Sequence, residues 1–119
     1  MVEADLLVQK VVEGIQEKKG KRIAVVDMTK LENSVCSYFV ICEGDSTTHV
    51  NAVADSVIDY VREQIDDRPI NKDGFKNAEW IAVDYGNLIV HVFRREPREF
   101  YKIESLWADA DITWIEDIY

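Results

Sequence analysis

Five consecutive apolar residues, Tyr38–Cys42 (YFVIC), leave no alternation between a wet side and a dry side. A strand of that kind must be covered on both faces, because a half-exposed strand would alternate. The chain therefore has to provide a sheet with material packed above and below it. Gly44 ends the run, and Ser46 or Thr47 is placed to cap a helix that continues to about Ile65. Val50, Val53, Ala54, Val57, Val61 and Ile65 form its inward stripe. A second helical spacing runs from Glu3 to about Lys18, with Leu7, Val8, Val11, Val12 and Ile15 on one side. Lys18, Lys19, Lys21 and Arg22 follow, where cations complement a helix dipole, and Gly20 is read as the C-cap.

The remaining elements fall around this frame. Ile23–Met28 is a short run rich in branched residues and reads as a strand, and Leu31–Ser37 is too short for a long helix. Pro69 and Gly74 mark Asp66–Lys76 as a loop with room for a short strand around Ile70. Trp80–Asp84 and Leu88–Phe93 are β-rich runs joined through Tyr85, Gly86 and Asn87, a hairpin in which the Gly-Asn pair supplies positive φ angles. Arg95, Glu96 and Pro97 open a last helix to roughly Leu106, with Phe100, Ile103 and Leu106 as core contacts. The predicted order is α β β α β β α: an α/β (α+β) domain over 1–108, with a mixed β-sheet flanked by helices. The acidic-aromatic tail, 109–119, reads as an extra strand, an amphipathic turn or a segment ordered only on binding.

Charge narrows the function classes. Fourteen Lys and Arg against 23 Asp and Glu give a net charge of −9, which repels phosphate backbones and favours a basic protein partner. The N-terminus lacks a cationic, apolar leader and no stretch reaches the length of a membrane span, so a cytoplasmic protein is expected. Cys36 and Cys42 have no disulfide or zinc spacing and read as reduced thiols.

The strand, Gly44-Asp45-Ser46 and helix sequence invites a phosphate-binding reading. Nucleotidyl transfer also needs two carboxylates on one strand face to hold a divalent metal. Asp84 and Asp27 each lack that second carboxylate, and Asp45 would put a negative charge in the pocket. Walker, Rossmann and nucleophile-elbow patterns are absent. His49, in the first turn of the long helix, reads as a surface residue. His91 points opposite to Val90 and Val92 and reads as a structural, hydrogen-bonded histidine. Trp80, Tyr85, Phe93, Phe100, Tyr101, Trp107 and Trp114, with Arg94, Arg95 and Arg98 close by, are residue types that dominate interfaces. Phe93 and Phe100 are assigned to the core, while Trp80 and Tyr85 fit either core or interface.

The stretch WIAVDYGNLIVHVF (Trp80–Phe93) with RREPREFYKIESLW (Arg94–Trp107) resembles the signature of the ribosomal silencing factor family, also called Iojap. YFVICEGDSTTHV and the Ala54-Asp55 pair match earlier family elements, and the likeness spans roughly residues 3–108. Ser37, Asn87 and Ile103 depart from the pattern, the first two at turn or surface positions. The resemblance implies a nucleotidyltransferase-like fold lacking catalytic carboxylates, and a non-enzymatic protein with no cofactor and no metal. Its implied partner is the large ribosomal subunit, through ribosomal protein fourteen, where it would sterically block the small subunit and repress translation. It also implies self-association as a homodimer. The partner-binding residues it implies are Trp80, Asp84, Tyr85 and Gly86 at the hairpin, extended to His91, Arg94, Arg98 and Tyr101. Two other classes stay distinguishable: a nucleotide-binding or nucleotidyltransferase-like enzyme would melt higher with nucleotide and magnesium, and an RNA-binding module would bind naked RNA with steep salt dependence.

Overall fold

A computed structural model of the chain describes residues 3–31, 36–106 and 110–117. Its elements are α1 (Ala4–Glu17), β1 (Lys21–Asp27), β2 (Tyr38–Gly44), α2 (Thr47–Ile65), β3 (Asn71–Asp73), β4 (Trp80–Asp84), β5 (Leu88–Arg94), α3 (Arg95–Tyr101), a 3-10 turn at Ile103–Leu106, and β6 (Asp111–Ile115). The six strands form one mixed sheet in the order β3-β4-β5-β2-β1-β6. Only the β2–β5 pair is parallel among the described strand pairs. α2 takes part in the long connection that a parallel pair requires.

The uninterrupted apolar run finds its two coverings. Val40 and Cys42 of β2 face a core shared with Leu7, Val11 and Ile15 of α1 and Val50, Val53 and Val57 of α2. Phe39 and Ile41 face the opposite side, with Val26, Met28, Cys36, Phe93 and Ile103. The helices α1 and α2 thus fill one face, and the short α3 with the 3-10 turn covers only part of the other. That asymmetry leaves a stretch of sheet open.

Local chemistry explains the element ends. Ser46 caps α2 by accepting the His49 backbone N–H at 3.1 Å, and Asp66 closes the helix in a left-handed conformation. Gly86, at φ +92°, supplies the hairpin's only positive φ, followed by a Tyr85 N–H to Leu88 carbonyl bond of 2.8 Å. The Gly-Asn assignment is corrected to Gly86 alone, the pattern of a type II′ turn.

Other corrections concern residues whose partners are remote in sequence. Lys19, not Gly20, takes the left-handed φ after α1. Gly20 is needed for space, since a Cβ there would lie 2.4 Å from Ile15 Cγ2. Of the basic residues after α1, Lys18 is the C-cap, whereas two serve as ion-pairing groups: Lys21 reaches Asp45 at 3.1 Å and Arg22 reaches Glu43 at 3.3 Å. His49 is a half-buried pin between helices, not a surface residue. Its Nδ1 accepts the Asp45 N–H at 2.9 Å, which leaves Nε2–H to donate to the Lys18 carbonyl at 2.7 Å.

The last helix is shorter than its apolar spacing suggested. Lys102, at φ +46°, ends α3 and rotates the following turn. Ile103 is carried inward, while Phe100 (80% exposed) and Leu106 face solvent, which corrects their assignment to the core. Phe93 is fully buried, as expected. Trp107 lies outside the described residues. The tail supplies β6, so of its three readings the extra strand holds for Asp111–Ile115.

Candidate partner-binding site

Register sets which side chains of the hairpin share the open face. Trp80 lies opposite Phe93, Ala82 opposite His91 and Asp84 opposite Ile89. Alternation therefore puts Trp80, Ala82 and Asp84 on one side of β4, together with Ile89, His91 and Phe93 of β5. The Trp80 ring stacks on Phe93 at a centroid distance of 4.8 Å and a 23° tilt. Its Nε1–H donates to His91 Nδ1 at 3.0 Å. Tyr101, at the end of α3, meets the same indole at 5.2 Å, and Phe100 stands edge-on to Tyr101 at 5.0 Å. Phe39 packs edge-on against His91 at 4.6 Å from below.

The result is a ledge of three exposed rings, Trp80, Tyr101 and Phe100, on a buried floor of Phe93, His91 and Phe39. Trp80 is 37% exposed although both its face and its nitrogen are held. Its rotamer is therefore fixed before any partner arrives, which is how aromatic hot spots keep their ordering cost low.

His91 is neutral by this geometry, because Nδ1 must be free to accept. Burial lowers its pKa from 6.5 to about 4, since the imidazolium would be poorly solvated. The unfolded chain then takes up a proton at higher pH than the native one. Native stability is expected to fall as pH drops from 6.5 towards 4 and to be indifferent to this group above 6.5. Urea midpoints of the wild type and of His91→Gln across that range check this: the wild type should show the steeper decline. An imidazole resonance titrating near its ordinary pH in the native protein would contradict it.

The expected site residues divide. Trp80, His91 and Tyr101 come together, and Arg94 lies nearby in the strand, its Nε bonded to Glu79 at 2.7 Å. Asp84 is on the same face at the far end of β4, where it accepts the Gly86 N–H at 2.7 Å, and Gly86 is exposed at the turn. Tyr85 points the other way. It is 7% exposed in the helix-side core, and burial raises the pKa of its hydroxyl. Arg98 is 1% exposed, bound to Glu43 and Glu104 at 3.3 Å each and to the Arg22 carbonyl at 2.5 Å. Neither Tyr85 nor Arg98 belongs to the ledge. Phe100 does, and its position beside Tyr101 at the end of the helix was the available signal.

Among the described residues, no group of three or more His, Cys, Asp and Glu could hold a metal ion. Cys42 is fully buried with its thiol pushed up to about 12, so a nucleophilic thiolate is unfavourable there. No described helix is long and apolar enough to cross a membrane. Fold and face together define a small α+β domain with an exposed ledge of aromatic rings on one face of its sheet.

Comparison with known proteins gives the family. The model of the family described as "Ribosomal silencing factor during starvation" matches residues 2–118. The ribosomal silencing factor of Bacillus subtilis is 35% identical over 99 residues, 81% of this chain and 80% of that protein. That of Halalkalibacterium halodurans is 30% identical over 113 residues, 94% of each. A crystal structure of a Chromobacterium violaceum protein superposes with a TM-score of 0.83 at 33% identity, covering 90% of this chain and 88% of the other. The chain belongs to the ribosomal silencing factor family.

Proposed function

We propose that this protein acts in the cytoplasm by docking on ribosomal protein fourteen of the large subunit, where its bulk keeps the small subunit from joining. It makes and breaks no covalent bond and needs no cofactor. The observation that carries this reading is the Trp80–Tyr101–Phe100 ledge, locked from beneath by His91 and Phe93. A net charge of −9 suits a basic protein surface and opposes direct RNA binding. Family membership supplies the ribosome as the place to look.

Co-sedimentation tests the reading. The protein should travel with purified large subunits and be absent from assembled ribosomes. Trp80→Ala and Tyr101→Ala should each weaken the association by about 2 kcal/mol, the threshold for an interface hot spot. Tyr85→Ala should lower stability instead, because its ring is in the core. Undiminished co-sedimentation by a folded Trp80→Ala plus Tyr101→Ala variant would remove the ledge from the interface. Salt-sensitive binding to naked ribosomal RNA would favour the RNA-binding alternative.

A further inference from the structure

The two edges of the sheet are treated differently. At one edge, β3 is three residues long, reads Asn71-Lys72-Asp73 and is wholly exposed. Short, charged edge strands are a usual protection against unwanted strand pairing. At the other edge, β6 is Asp111-Ile112-Thr113-Trp114-Ile115 and pairs with β1 in unbroken register from Ile23↔Ile115 to Asp27↔Asp111. It contains no Lys, no Pro and no bulge against β1. Among the described residues no strand lies beyond it. Alternate residues of an antiparallel edge strand direct their N–H and C=O groups outward, ready for another strand.

The side chains of β6 are laid out for such an addition. Ile112 and Trp114 share one face, and Trp114 is 53% exposed. The Trp114 ring rests against the buried guanidinium of Arg98, 5.6 Å from its centroid, so this exposed ring is also held in place. Charge states what would fit. After Lys102 the sequence carries Glu104, Asp109, Asp111, Glu116 and Asp117 and no Lys or Arg. Acidic residues therefore bracket the strand at both ends: Asp111 at its start, in an exposed 3.8 Å ion pair with Lys30, and Glu116 and Asp117 just past its finish, with Asp117 also accepting the Arg22 backbone N–H.

We infer that the outer edge of β6 is a second docking site, which captures an extended, basic segment of a partner protein by strand addition. Main-chain hydrogen bonds give the attachment, the Ile112 and Trp114 face gives apolar contact, and the flanking carboxylates select Lys and Arg. A second copy of this chain is disfavoured as occupant. Antiparallel pairing of two β6 strands would bring Asp111 of one near Asp117 of the other, between molecules that each carry a charge of −9. The site lies across the sheet from the aromatic ledge and does not depend on the reading given to that ledge.

A short peptide alternating Lys and Val, mixed with the full chain at low salt, is the probe. Expected results are slowed hydrogen exchange at alternate β6 amides and binding that weakens with salt. Thr113→Lys and Ile112→Lys, which place like charge against the peptide's lysines, should each weaken the peptide by about tenfold. Trp80→Ala should bind it as the wild type does. Thr113→Pro should abolish binding, with the two Lys variants deciding the matter if that chain misfolds. Equal binding of a Glu-Val peptide, unprotected β6 amides, or peptide binding indifferent to both Lys variants would overturn the assignment. Concentration-dependent self-pairing lost in Thr113→Lys would also overturn it, by showing a second copy on this edge.

Discussion

Arg98→Ala is expected to destabilise the fold by about 3 kcal/mol or more, the scale for stripping one partner from a buried ion pair. The Arg98 guanidinium ties α3 to three other elements at once. It bonds Glu43 on β2, Glu104 in the 3-10 turn and the carbonyl of Arg22 on β1. That carbonyl belongs to a bulge: the β1–β2 register shifts between Lys21 and Ala24, and Arg22 takes a left-handed φ of 51°. Such a residue falls out of the ladder and must find other partners. The Arg22 N–H finds Asp117 at 3.1 Å and its carbonyl finds Arg98. Deleting the guanidinium leaves the buried Glu43 and the part-buried Glu104 without this cation and the bulge carbonyl without its donor. Arg22 still pairs with Glu43, which holds the loss towards the lower end of the range. Arg98→Lys keeps the charge but not the fork, so an intermediate loss is expected. Urea denaturation midpoints measure both, and an alanine variant as stable as the wild type would show that the network is dispensable.

Gly74→Ala should destabilise by about 2–5 kcal/mol and displace the aromatic ledge with it. Gly74 sits at φ +95°, a region that disfavours a Cβ by about 1–2 kcal/mol. The added carbon would lie 2.1 Å from the Trp80 carbonyl oxygen and 3.1 Å from Ile81 Cα, which are backbone atoms with no rotamer to yield. The strand carrying Trp80 must move, adding about 1–3 kcal/mol of crowding. The indole N–H resonance of Trp80, set by its bond to His91, should shift as stability falls. Gly86→Ala is the control: its φ is +92°, yet the nearest atom to a new Cβ is Ile70 Cδ1 at 3.9 Å. That variant should lose only the conformational part, about 1–2 kcal/mol, and leave the Trp80 resonance in place.

These two residues also show what was legible beforehand. The doubly covered β2, the Ser46 cap and the hairpin rest on local signals, namely an apolar run, a hydroxyl before a helix, and Gly86 between alternating strands. The resemblance makes Arg98 a partner contact, whereas its guanidinium is spent inside the fold. Its burial depends on Glu43, 55 positions away, which no local pattern reveals. Tyr85 at a turn looked like an anchor, but strand alternation past Asp84 puts it on the helix side. Phe100 was assigned inward by extending helical spacing through Lys102, where the backbone turns left-handed. Within the site, Trp80 and Tyr101 were recognisable as residue types. The bond between Trp80 and His91 became visible only once Ala82 was set opposite His91.

The pairing of β1 with β6 has a bearing on biosynthesis. Ile23 leaves the peptidyl-transferase centre long before Ile115, so the first strand waits, with one side unsatisfied, for the last one to be translated. A chain built this way closes late, and contacts so distant along the sequence are slow to form. Products stalled or truncated before β6 would therefore be marked by an open β1, the sort of defect that chaperones and proteases detect.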